Sequence, residues 1–324
     1  MDAPEREQLE MLRSSVSARI KATAGACWND RRTAAAELLA AVTAAWWRVH
    51  EYDPAAYGRD LNRLNRLTGW TGEHAQVSEW RGPQGQIFLM PPKFFGGDPL
   101  ALEEHFVASV SLNHAVLPAD NLDFARELQD QQNPAAAFVA HREYFTRPYA
   151  YSRFFRPRAL VLHAYATAIG AAAVPPTTAW RAINNRYAFY IEFIPTRSKR
   201  FRTPSRGLNY NKLVTSVFVA ALNAVAQDVV LRLLRPHRVL LSGKATWRAW
   251  PNLDVTLNSK DIGRRVRPIG RCPIYVIKTR CAFSGRPVIL VRTNFLRTVY
   301  GPNSDAELVS LGRDVLAQDG LQYA

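Results

Sequence analysis

Past residue 105, short apolar, β-branched runs take turns with stretches of helical periodicity, and this alternation constrains the fold more than any other feature of the sequence. Residues 106–112 (FVASVSL), 188–194 (AFYIEFI) and 238–242 (RVLLS) read as strands, and 274–277 and 288–291 as two more. Between them, 121–131, 135–144, 158–169 and 211–234 carry apolar residues at helical spacing, and 245–250 reads as a short helix. A last helix is expected over 304–317, with Asn303 or Ser304 as N-cap and the acidic Asp305 and Glu307 in its first turn. Strands separated by helices predict an α/β fold, a three-layer α/β/α arrangement around a mainly parallel central sheet. In such sheets ligands bind outside the carboxyl ends of the strands. The segments that directly follow the strands are therefore where chemistry is expected.

Residues 1–100 read differently. Helical periodicity over 5–23, 33–51 and 55–67 gives way to the turn at Thr68-Gly69-Trp70-Thr71-Gly72 and to a Gly- and Pro-rich stretch, 82–99, with a short apolar piece at 87–90. This part is expected to be a helical N-terminal extension with a loop leading into the sheet, and 101–324 the functional domain. Apolar residues make up 48%, enough for a substantial core. Three cysteines exclude a disulfide scaffold. Without a CxxC or a paired His/Cys spacing, no metal site and no cofactor is expected. The start, MDAPEREQLEM, lacks the apolar core of a signal peptide, and the apolar stretches 214–226 and 229–234 fall short of the ~20 residues that span a bilayer. These features predict a cytoplasmic protein without membrane contact.

The 42 Lys and Arg outnumber the 27 Asp and Glu, for a net charge of +15, which calls for a polyanionic partner, nucleic acid first of all. The charge is concentrated. Residues 196–206 hold five basic side chains in eleven (Arg197, Lys199, Arg200, Arg202 and Arg206), interleaved with hydroxyls such as Ser198. That mixture suits contact with phosphates, although it also suits a solvated loop. Lys244, in the turn after 238–242, and Arg292 and Arg297, after the last strand, join the candidate DNA contacts.

Three strand tips stand out. The first runs Ser111-Leu112-Asn113-His114, and the second holds a charge in an apolar run, Ile191-Glu192-Phe193-Ile194. The third is Arg292-Thr293-Asn294. In this order, over residues 106–324, they resemble the uracil-DNA glycosylase-like superfamily. That resemblance implies that Asn113 positions the attacking water, with His114 assisting as base or by contacting phosphate. It implies that Glu192 stands where the family reads the target base, and that Thr293 and Asn294 occupy the loop that clamps the leaving base. It also implies an aromatic stacking on the extruded base, for which Phe145, Tyr149, Phe154 and Phe155 are candidates and Phe145 and Tyr149 are preferred. Leu296 would enter the vacated stack or cover the helix behind it. Ser111, His114, Glu192 and Thr293 all depart from the family pattern.

The departure at Glu192 carries chemical information. An Asn amide matches uracil by offering a donor and an acceptor, whereas an ionised carboxylate offers acceptors only. Glu accepts naturally from the N4 amino group of cytosine. A modified cytosine is the expected base, as for the bacterial anti-phage glycosylases of the superfamily that excise glucosylated hydroxymethylcytosine. Phage DNA is then the expected partner. Other readings stay open at this point. Asn113 also suits a turn cap, Glu192 also suits a buried ion pair with Arg197 or Arg181, and the chain also suits a uracil repair glycosylase or a DNA-binding protein without activity.

Overall fold

The computed structural model describes residues 1–50, 59, 79–81, 87–89, 92–111, 134–146, 152–171, 176–192, 218–243, 264–270, 272–280, 287–294, 296–297 and 301–318. The helices expected over 55–67, 121–131 and 245–250 lie outside this set, apart from Arg59.

Two helices come first. Helix α1 (Ala3–Ala22) starts from a capping box, in which Asp2 accepts from the Glu5 amide and the Glu5 carboxylate accepts in return from the Asp2 amide. Helix α2 (Trp28–His50) follows after a turn. Strands β1 (Glu79–Arg81) and β2 (Ile87–Leu89) form a separate antiparallel pair. The main sheet is built from β3 (Phe95–Gly96), β4 (Val107–Ser111), β5 (Ala188–Glu192), β6 (Arg238–Ser242), β7 (Arg264–Ile269), β8 (Cys272–Arg280) and β9 (Pro287–Thr293), in the order β3-β5-β4-β6-β9-β8-β7. Helices α3 (Pro134–Arg142), α4 (Ser152–Ala168) and α5 (Pro176–Tyr187) lie between β4 and β5. Helix α6 (Phe218–Asp228) runs on through π-helical turns at Val229–Leu234 and ends at Arg235 in the left-handed region. After β9, α7 (Asp305–Ser310) runs on through Leu311–Leu316.

The fold is α/β, as expected, with a parallel centre. Strands β5, β4, β6 and β9 run parallel; β3 on one edge is antiparallel to β5, β8 on the other is antiparallel to β9, and β7, antiparallel to β8, runs in the direction of the parallel four. The sheet is mainly parallel, as expected, and β3 and β8 are the strands that oppose its direction. Only residues 281–286 separate β8 from β9, too few for the helical crossover that a parallel pair requires.

Helices cover both faces. On one side α1 and α2 pack on α6, and α2 packs on α3. On the other, α4 packs on α5 and α7. Strand side chains alternate accordingly. The Phe189 ring stacks on Phe95, which meets Phe138 of α3, whereas the Tyr190 ring meets Phe155 of α4. Leu9, Val16, Leu39 and Val42 of the first two helices belong to the same contiguous core as Val107, Ile191 and Leu241 of the sheet. The indole of Trp28 donates to the Leu102 carbonyl at 3.2 Å and Arg32 to that of Leu100 at 2.8 Å, fixing α2 against the chain that leads into β4.

The last helix starts as its sequence predicts. Ser304 caps it and accepts from the Glu307 amide, while the Glu307 carboxylate accepts from the amides of Asn303 (2.7 Å) and Ser304 (3.0 Å). The bond from Ser304, with that from Asn303, holds the Glu307 carboxyl below its ordinary value.

Gly312 sets how closely α7 approaches α4. A Cβ there would lie 2.1 Å from the Val161 carbonyl oxygen and 2.9 Å from the Ala164 Cβ. Gly312→Ala is therefore expected to force the helices apart and destabilise the fold by about 1–3 kcal/mol. The measurement is the denaturant midpoint at unchanged slope. An unshifted midpoint would show that the two helices have room to spare.

Candidate functional site

The four parallel strands all finish on polar residues: Glu192 on β5, Ser111 on β4, Ser242 on β6 and Thr293 on β9. Their registers align these ends. Ser111 pairs with Glu192, Val110 with Leu241, and Ser242 with Thr293. All four are buried, Glu192 at 2% exposure. From β4 the chain goes to β5 on one side and then returns to β6 on the other. Such a reversal of strand order opens a crevice at the carboxyl ends of the strands. The row is therefore placed where an α/β sheet binds its ligand.

In-register neighbours of a parallel pair point to the same face. Ser109, Ser111, Tyr190 and Glu192 thus share the face covered by α4 and α5. Arg158, on the buried stripe of α4 with Phe155, Leu162 and Tyr165, brings a cation to that face. Only 3% exposed, its guanidinium lies 3.4 Å from the centroid of the Phe154 ring and donates through Nη1 to the Phe154 carbonyl at 3.0 Å. Burial pulls its pKa down to about 10, and the neighbouring Tyr190 and Glu192 oppose that fall, so it remains charged at neutral pH. Its Nε and Nη2, and the hydroxyls of Ser109 and Ser111, find no hydrogen-bond partner among the described residues.

Tyr190 is the second buried polar group of this face. Its hydroxyl donates to the side-chain Oδ1 of Asn184, and Asn184 Nδ2 donates to the backbone carbonyls of Trp180 (2.6 Å) and Phe155 (3.1 Å). One asparagine thereby ties α4, α5 and β5 together. Burial raises the Tyr190 pKa far above its ordinary value, against the lowering effect of Arg158, and the phenol stays neutral. On the opposite side of the strand, Asn223 of α6 donates to the Glu192 backbone carbonyl at 2.7 Å and fixes the end of β5.

The residues singled out from the sequence distribute as follows. Glu192 stands at a strand end and is one of the two groups that act electrostatically on Arg158; Arg181 is instead exposed on α5, with its guanidinium over the Trp180 ring at 5.0 Å. Phe145 is 1% exposed and enclosed by rings, with Phe155 at 4.8 Å and Tyr190 at 5.1 Å between centroids. Thr293 is fully buried with its hydroxyl 3.4 Å from the Cys272 sulfur, and Asn294 follows it, half-buried. Three strand steps separate Glu192 from Thr293, roughly 14 Å, so these two bracket the row rather than touch. Arg292 is half-buried, with its guanidinium 5.9 Å from the Tyr275 ring centroid. Leu296 is buried and belongs to the core. Arg297 is exposed, and its guanidinium bonds to Asp305 and to the Asn303 carbonyl at the start of α7. Asn113, His114, Tyr149, Arg197, Ser198, Lys199, Arg200, Arg202 and Lys244 lie outside the described residues.

Arg158 is the functional candidate that sequence reading missed. Its signal was available as a charge in the 3-4-3 spacing Phe155, Arg158, Leu162, Tyr165, where an apolar residue belongs. Among the described residues no group of His, Cys, Asp or Glu is arranged to hold a metal ion, and no helix is long and apolar enough to cross a membrane. Compared with protein-family models, curated proteins and solved structures, the chain matches none.

Proposed function

We propose that the chain is a monofunctional DNA glycosylase that hydrolyses the N-glycosidic bond of an extruded, modified cytosine in phage DNA, leaving an abasic site as an antiviral defence. One observation carries this reading. A buried carboxylate, Glu192, ends β5 in register with Ser111, the last residue of the strand from which the sequence runs on to Asn113 and His114. The proposed base-reading residue thus ends one strand, and the proposed water-positioning residue follows the end of the adjacent strand by two positions in the sequence.

The chemistry follows from the residue types. A base inside a duplex is out of reach, and extruding it costs a few kcal/mol. The basic stretch from Arg197 to Arg206 and the net charge of +15 supply the attraction that offsets this cost. Glu192 accepts from the N4 amino group, which an unmodified or modified cytosine offers and uracil does not. Asn113 holds a water against C1′. As the C1′–N1 bond breaks, its electron pair leaves with the base. The water oxygen bonds to C1′, His114 accepts one water proton and releases it to solvent, and the departed base takes up a proton from solvent at N1.

A substrate panel tests this. Purified protein is incubated with DNA containing cytosine, uracil, hydroxymethylcytosine or glucosylated hydroxymethylcytosine, and abasic sites are revealed by alkaline strand cleavage. Abasic sites are expected at a modified cytosine. Cleavage of the uracil DNA alone would overturn the assignment of the base, and cleavage of none would overturn the activity.

A further inference from the structure

We propose that Arg158 is the leaving-group residue of this site, donating to the O2 and N3 edge of the extruded pyrimidine while Glu192 accepts from its N4 amino group. This inference deepens the reading above and rests on it.

Arg158 is a buried cation with two donors, Nε and Nη2, that no described residue satisfies. Such groups are destabilising unless a function or a ligand uses them. Helix α4 brings it to the same face of the sheet as Glu192, within electrostatic reach of the carboxylate. Tyr190, also buried there, donates to Asn184. A donor fork and an acceptor pair on one face form a complementary set. The cytosine edge presents the matching pattern, an amino donor at C4 and acceptors at N3 and O2.

The reaction itself needs this cation. When C1′–N1 breaks, the electron pair spreads over N1, O2 and N3 of the departing base. An ionised Glu192 facing the amino group opposes that charge. A guanidinium at O2 cancels the opposition at the place where charge develops, in surroundings that screen it weakly. The Ser111 hydroxyl, in register with Glu192 and also without a described partner, provides a further donor on this face.

The test uses the full chain with Arg158→Met and Arg158→Lys. Single-turnover excision is measured on two modified cytosines whose departing bases differ in acidity, and binding of free hydroxymethylcytosine is measured by calorimetry. Arg158→Met is expected to slow excision by about 100- to 1,000-fold. The loss should be larger for the less acidic base, with DNA affinity unchanged. Binding of the free base should weaken by about tenfold or more. Arg158→Lys, which keeps the charge but loses the fork, should recover part of both losses, and it carries the comparison if the Met variant fails to fold. Rates within about threefold of the native enzyme, with equal loss on the two bases, overturn the role of Arg158 and leave the glycosylase reading intact. A native chain that excises nothing but binds the free base through Arg158 overturns the activity alone. A native chain that does neither overturns both.

Discussion

Replacing Asn113 with alanine is expected to reduce abasic-site formation about 1,000-fold, while affinity for the same DNA changes by less than about threefold. The reason is a division of labour along the chain. In the proposed reaction, affinity is assigned to phosphate contacts spread over many cations, and the attacking water to one amide that follows the end of β4 by two residues in the sequence. Removing that amide leaves the extruded base bound and its sugar without an oriented nucleophile. Single-turnover kinetics beside a binding titration separate the two quantities. Equal loss of both would make Asn113 part of the DNA-binding surface, and no loss of either would reduce it to a turn cap.

Glu192→Gln is expected to have an effect of similar size and of a different kind. The amide keeps the shape of the carboxylate but replaces one acceptor with a donor that faces the cytosine amino group. Sites built to hydrogen-bond a particular group discriminate against the wrong partner by about 10⁴-fold. Excision of modified cytosine should fall toward that limit, and the ratio of uracil to cytosine excision should rise. Competition between the two bases in one oligonucleotide mixture reads the ratio directly. An unchanged ratio would mean that residue 192 does not face the base.

The sheet was legible where its strands are apolar and β-branched. Residues 107–111, 188–192 and 238–242 stand out for that reason, and their order placed the carboxyl ends correctly. Strand β7 was not legible, because Arg264, Arg265, Arg267 and Pro268 give it the composition of a solvated loop. The start of α4 was hidden by Pro157, which reads as a helix breaker yet sits inside the helix. Helix α5 was missed because a Pro, two Thr and two Asn weaken its helical signal. The antiparallel β8–β9 pair had a sequence sign, the Ser284-Gly285-Arg286-Pro287 stretch, that suits a hairpin connection better than a crossover. At the site, Glu192 was legible because a charge between Ile191 and Phe193 interrupts an apolar run. Arg158 was harder to read, because Arg153 and Arg156, both exposed, precede it and mask its place in the apolar spacing of Phe155, Leu162 and Tyr165.

The packing of α1 and α2 on α6 has a consequence for biosynthesis. Residues 3–50 leave the ribosome well before 218–234, with which they share a core. At about 5–20 residues per second the delay is roughly 10–30 s. Throughout that interval Leu9, Val16, Leu39 and Val42 lack the helix that eventually shields them. The nascent polypeptide therefore presents a greasy surface to its surroundings for longer than most small domains do, and chaperone supply during expression becomes a determinant of yield.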